Sequence, residues 1–140
     1  MGEASTTHVF PLRVYYEDTD AEGIVYYANY LKFAERGRTE MLRAAGVDHR
    51  SLRETEDVSF AVRSLSADYL RPARLDDTLE VHTRLLLVGG ASMAAEQIVK
   101  RDGADLARLV VRLACVGGNG KPARLPRALR TALAAFVQNT

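Results

Sequence analysis

Four stretches of β-forming sequence follow one another after residue 57 with only short turns between them, and this run dictates most of what the chain can become. The stretches cover about 58–71, 78–88, 91–101 and 105–116. Their separators are rich in Pro, Gly and Asp: Pro72-Ala73-Arg74-Leu75-Asp76-Asp77, Gly89-Gly90 and Asp102-Gly103, with Gly117-Gly118-Asn119-Gly120 after the last. Such short connections join antiparallel strands. In the second stretch Leu79, Val81, Thr83, Leu85 and Leu87 alternate with Glu80, His82 and Arg84, the period of two expected when one face is buried.

A different period precedes the strands. Over residues 29–45, Leu31, Ala34, Met41, Leu42 and Ala45 fall on one stripe at a spacing of 3.6, with Tyr30, Phe33 and Ala44 beside it. The spacing predicts a helix roughly 25 Å long at 1.5 Å per residue, stopped by Gly46. Gly37 stands inside it at a cost of about 1 kcal/mol relative to Ala, and a close approach to a neighbouring backbone would account for it. A first or edge strand is expected over 9–16, with Pro11 near its start, and a closing helix over 126–138, with Leu129, Leu133, Phe136 and Val137 on one face. The predicted architecture is α+β: an antiparallel sheet of about five strands wrapped around a long central helix. A sheet of this kind has two edges, and pairing one of them with a second copy blunts the exposed hydrogen-bonding groups, so a homodimer is expected.

Bulk properties narrow the function. A chain of 140 residues fits one domain, taken here as 1–140, and 47% hydrophobic with 26% charged residues is a globular composition. The net charge of +1 argues against a nucleic-acid binder. The single cysteine, Cys115, rules out an intrachain disulfide, lies in an apolar strand and reads as core; a cytoplasmic location is the default. Residues 1–6 lack the basic start and apolar stretch of a signal peptide, no apolar run is long enough to span a membrane, and the loose match of Met1 to Thr6 to a myristoylation pattern is read as coincidence. His8, His49 and His82 show no metal-ligand spacing, so no metal is expected.

The informative segment is Glu17-Asp18-Thr19-Asp20-Ala21-Glu22-Gly23, which holds several carboxylates in turn-forming sequence just before the helix. Unpaired amides at a helix N-terminus carry partial positive charge and can bind an oxyanion. A carboxylate beside such a site is the equipment for acyl transfer. By spacing alone Asp20 also suits a turn or capping residue. Asp18 and Glu17 read as residues that tune the loop or face solvent, and Tyr16, Tyr26 and Tyr30 as packing rings.

The stretch from Val14 to Arg36, with Arg38-Thr39-Glu40-Met41-Leu42-Arg43, Phe60-Ala61-Val62-Arg63 and Tyr69-Leu70-Arg71-Pro72-Ala73-Arg74-Leu75-Asp76-Asp77, resembles the hot-dog-fold thioesterases of the 4-hydroxybenzoyl-CoA thioesterase type, and within them the bacterial Tol-Pal-associated acyl-CoA thioesterases. The likeness covers most of the chain and loosens after about residue 90. It implies a hot-dog fold and hydrolysis of acyl-CoA to free acid and CoA without a cofactor. It also implies that Asp20, the second acid of Asp18-Thr19-Asp20, is catalytic, either as a nucleophile through a mixed anhydride or as a general base toward water. The stretch Tyr26-Tyr27-Ala28 matches the family's carbonyl-polarising amide, with Tyr27 the first choice; Gly23, Tyr26 and Asn29 are the candidate substrate-binding residues. Relatives further suggest a site formed where two subunits meet and dimers that pair into tetramers.

Two positions depart from the family pattern. Many relatives have a histidine where Tyr27 stands, so the chemistry here must run without an imidazole at that point; Glu22 replaces a residue that is often small. A thioesterase acting on acyl carrier protein and a non-catalytic acyl-thioester-binding or envelope-associated scaffold protein are the competing readings. Arg71 and Arg74 fit CoA phosphates or turn salt bridges with Asp76 or Asp77 about equally well.

Overall fold

The computed structural model describes residues 7–137, so the myristoylation-like start and residue 138 of the expected closing helix lie outside the described residues. The strands are β1 (His8–Arg13), β2 (Val58–Tyr69), β3 (Thr78–Val88), β4 (Ser92–Arg101) and β5 (Ala104–Gly117). They form one antiparallel sheet in the order β1-β3-β4-β5-β2. Helix α1 (Asn29–Ala44) packs on β1, β3 and β4, and α3 (Arg127–Leu133) closes the other end of the sheet against β3. The α+β hot-dog architecture expected from the sequence is the one observed.

Gly37 explains how α1 sits. A Cβ at this position would come 2.7 Å from Val81 Cγ1, 3.2 Å from Gln97 Nε2 and 3.3 Å from Thr83 Oγ1. The helix therefore touches the sheet through a residue without a side chain, and what it approaches is strand side chains rather than a neighbouring backbone. Gln97 pins the contact. Its Oε1 accepts from Arg38 Nη1 at 2.9 Å, while Nε2 donates to Ala34 O at 2.8 Å and to Thr83 Oγ1 at 2.9 Å. A fully buried amide is thus satisfied on both ends, which avoids the penalty of an orphaned polar group.

Gly37 also rotates the buried stripe. Tyr30, Phe33, Ala34, Gly37, Met41 and Leu42 face the sheet, whereas Leu31 and Ala44 are exposed, contrary to the stripe drawn from the apolar residues alone. Burying Phe33 completely contributes roughly 1.5–3 kcal/mol. Three further expectations are corrected. The first strand ends at Arg13, because the Asp18 carboxylate takes the Tyr15 amide at 2.8 Å and the chain turns into a 3-10 segment at Tyr16–Asp18. The alternation in β3 holds through Leu85 and then breaks: a bulge between Leu85 and Leu87 turns Leu87 out to 51% exposure. The closing helix is shorter than expected and continues as a 3-10 turn, Ala134–Phe136. Helix α2 (His49–Ser51) and the wide turn Leu52–Glu56, which plug Leu52 into the core, were not anticipated.

Candidate active site

Residues 19–25 form a small hairpin. Thr19 and Val25 pair as a bridge, the Asp20 amide donates to Ile24 O at 2.9 Å, and the Gly23 amide donates to Asp20 O at 3.0 Å. This is a three-residue loop closed by a left-handed residue, and Gly23 supplies it at φ +78°. A side chain at Gly23 would meet no atom within 4 Å, so the backbone conformation, not space, requires glycine there. Asp20 Oδ1 accepts the Glu22 amide at 2.8 Å, which holds the carboxylate in one orientation at the loop's edge. Asp20 is exposed, and among the described residues its Oδ2 has no partner.

Asp18 holds the loop on the protein. Its side chain is buried, its Oδ2 accepts the Tyr15 amide, and its carbonyl accepts both the Tyr26 amide at 3.1 Å and Asn29 Nδ2 at 2.8 Å. Asn29, the first residue of α1, therefore ties the helix start to the acidic loop. On the far side the hairpin is sewn to the turn after β2: Val25 N donates to Ala73 O at 2.8 Å, Leu75 N to Gly23 O at 3.3 Å, and Ile24 bridges Arg74. Tyr30 completes this seam by accepting the Ala73 amide on its hydroxyl at 3.0 Å.

The amides at the helix start are distributed differently from a simple capped helix. Asn29, Tyr30 and Leu31 donate back to the carbonyls of Tyr26, Tyr27 and Ala28 at 2.8, 3.3 and 3.1 Å. The amides of Tyr27 and Ala28 have no acceptor among the described residues. The free donors at this helix start are those of the two residues directly before Asn29, within the stretch Tyr26-Tyr27-Ala28.

Beside them opens a cleft of about 370 Å³ with Ile24, Tyr27 and Tyr30 on one side and Tyr69, Leu70 and Pro72 on the other. Tyr69 gathers the rings, with centroids 6.0 Å from Tyr27 and 5.4 Å from Tyr30. Tyr26 stacks at 4.7 Å on Tyr27. The Tyr26 hydroxyl's hydrogen bond to Tyr27 raises the Tyr26 phenol, and burial raises those of Tyr30 and Tyr69, so these three rings stay neutral near pH 7. Of the candidate residues Tyr27 lines this cleft, while Asp20 stands one backbone hydrogen bond from its wall residue Ile24. Gly23 and Asn29 serve the loop's geometry. Arg71 also reaches the rim and donates to Asp105 O at 3.0 Å. The ion pair with Asp77, one of the two readings left open for Arg74, is made by Arg101 at 2.7 Å.

Tyr69 and Leu70 were not singled out from the sequence as cleft residues. They lie some forty positions from Tyr27, and only closure of the sheet on the helix brings the two segments together. Their signal was the unusual Tyr-Leu-Arg-Pro exit from β2, which has no local structural need for an exposed ring.

A central helix on a five-stranded antiparallel sheet, with an acidic hairpin and an apolar cleft at the helix start, is the arrangement of a hot-dog enzyme. The thioesterase superfamily model matches residues 22–107, more than half of the chain and beginning just after Asp20, and the chain belongs to that superfamily, whose members hydrolyse thioesters. Among individual proteins it is similar to the acyl-CoA thioesterase YbgC of Haemophilus influenzae, with 44% identity over 124 residues, 88% of this chain and 91% of that one. The acyl-CoA thioester hydrolase YbgC of Escherichia coli O157:H7 is 42% identical over 127 residues, 89% and 94% of the two chains. A probable thioesterase from Bartonella henselae superimposes with a TM-score of 0.83 at 39% identity, covering 86% of this chain and 99% of that one.

Proposed function

We propose that the chain hydrolyses acyl-CoA to the carboxylic acid and CoA, with Asp20 as the reacting carboxylate. The observation that carries this reading is the Asp20 hairpin: one carboxylate oxygen is fixed by the Glu22 amide, the other has no partner among the described residues, and the loop adjoins an apolar cleft with two free amides at its edge. The similarity to acyl-CoA thioesterases over nearly the whole chain supports CoA as the donor.

In this reading the Tyr27 amide donates to the thioester oxygen and stabilises the charge that develops there. Asp20 then acts by one of two routes. As a nucleophile it attacks the carbonyl carbon, CoA leaves as thiolate, and water cleaves the resulting mixed anhydride to regenerate the carboxylate and release the acid. As a base it takes a proton from water, which attacks the same carbon and expels the thiolate, and the proton passes from Asp20 to the departing sulfur. Neither route uses a cofactor. Tyr26 buttresses Tyr27, Gly23 sets the loop's left-handed turn, and Asn29 fixes the loop against α1.

The reading extends to the assembly. β2 pairs with β5 along one side, and it presents Val62 at 52% exposure along its length. We propose that this edge joins a second copy, that the cleft is completed by the partner, and that dimers pair into tetramers. The single hot-dog domain would work in the cytoplasm, where the buried free Cys115 stays reduced.

A panel of acyl-CoA esters of graded chain length and aromatic acyl groups, followed by free-thiol release, tests the activity, with the same acyl groups on acyl carrier protein run beside it. Release from the CoA esters is expected. A large preference for the carrier would replace CoA as donor, and binding of acyl-CoA without thiol release would replace the enzyme with a scaffold.

A further inference from the structure

A second concave site lies at the opposite end of β3 from the acidic hairpin. A groove of about 800 Å³ runs between the end of β3 and the segment that carries α3. Both of its ends are fixed to the sheet. Leu85 and Val137 pair as a parallel bridge at one, and the Leu125 amide donates to Gly90 O at 2.7 Å at the other. The groove is therefore built into the fold and does not depend on a loose surface loop.

Its walls have opposite chemistry. Leu86 and Leu87, 41% and 51% exposed, form one wall, because the bulge in β3 turns both away from the buried alternation. Arg124, Arg127 and Arg130 form the other, with Thr131 beside the last of them. Arg127 and Arg130 stand one turn apart on α3 and Arg124 precedes the helix; among the described residues no acidic side chain lines the groove and none of the three arginines makes an ion pair. Three unpaired guanidinium groups beside exposed leucines suit a ligand that brings an anion and an aliphatic chain together.

Two classes of anion fit less well. Among the described residues no aromatic side chain lines the groove to stack on a nucleobase or aryl ring. A flat anionic membrane would meet the rims of a concave surface and leave its floor unfilled. We propose that the groove binds a long-chain aliphatic carboxylate, its chain against Leu86 and Leu87 and its head group on Arg127 and Arg130, as guanidinium pairs carboxylate.

The test is titration of the full chain with monomeric laurate, read by methyl NMR, with dodecanol and inorganic phosphate as the chain-only and head-only probes. The structure predicts saturable shifts at Leu86, Leu87 and Thr131, weaker binding of both partial probes, and a loss of about tenfold or more in laurate affinity when Arg127→Gln and Arg130→Gln remove the charged pair. Leu87→Ser, which keeps all three arginines, is expected to weaken laurate in the same direction. Shifts confined to Ile24 and Leu70 beside the Tyr27 cleft, dodecanol binding as tightly as laurate, or unchanged affinity in the double variant would each overturn the proposal. So would binding to anionic vesicles with none to free laurate.

Discussion

Two acids two positions apart are put to different uses in this loop. Asp18 is buried and spends its carboxylate on the Tyr15 amide and its carbonyl on α1, while Asp20 is exposed and keeps one oxygen unpaired among the described residues. Asp18→Ala should therefore lower stability, by about 1–3 kcal/mol for the loss of a part-buried hydrogen bond to a charged acceptor, as read from a urea midpoint. For Tyr27 the account relies on the backbone amide, so Tyr27→Phe should keep most of the turnover in a thiol-release assay; a collapse would make the phenol a participant. Asp77 gives a prediction in pH. Burial pushes its carboxyl up, but the Arg74 amide and the Arg101 guanidinium outweigh this and hold it below the usual carboxylate range. A depressed carboxylate stabilises the fold above its unfolded value of about 3.9 and loses that contribution as pH falls through the folded value. Asp77→Asn should accordingly be less stable than the parent at pH 7 and show a shallower loss on acidification, measured by urea unfolding at the two pH values.

At the scale of elements, α1 and the strand it rests on are held by one close contact. Gly37→Ala gains about 1 kcal/mol of helix propensity but drives a methyl into Val81, and overpacking of this kind costs about 1–3 kcal/mol. A net fall in the unfolding midpoint is expected, and a rise would mean that β3 yields more easily than its packing suggests. The same residue shows what sequence patterning can and cannot deliver. The period of 3.6 locates α1 to within a residue, but the apolar pattern alone puts Leu31 on the buried face and passes over the glycine at the centre of the contact. In β3 alternation placed Leu79, Val81, Thr83 and Leu85 correctly and failed at Leu87, since a bulge leaves no mark in a period of two. The acidic loop was legible because turn-forming residues and carboxylates are crowded into one stretch. Tyr69 and Leu70 were not legible as its neighbours, because their approach depends on sheet closure and not on local sequence.

The whole molecule is built so that the sheet's long outer strand and the cleft lie close together: β2 ends at Tyr69, which lines the cleft, and its middle exposes Val62 and Leu65. If a second copy pairs along β2, substituting both Val62→Lys and Leu65→Lys should set like charges against each other and give monomers in sedimentation, with activity lost alongside. Retained activity in a monomer would confine the site to one subunit. The central claim, that the Asp20 carboxylate carries the hydrolysis, rests on a single atom's chemistry and is tested most directly by Asp20→Asn in the acyl-CoA thiol-release assay. The loop's hydrogen bond from Glu22 survives this change, so the account predicts a folded variant whose turnover falls by at least about 100-fold, the scale of an essential acid or base. Near-normal turnover in the folded variant would contradict it.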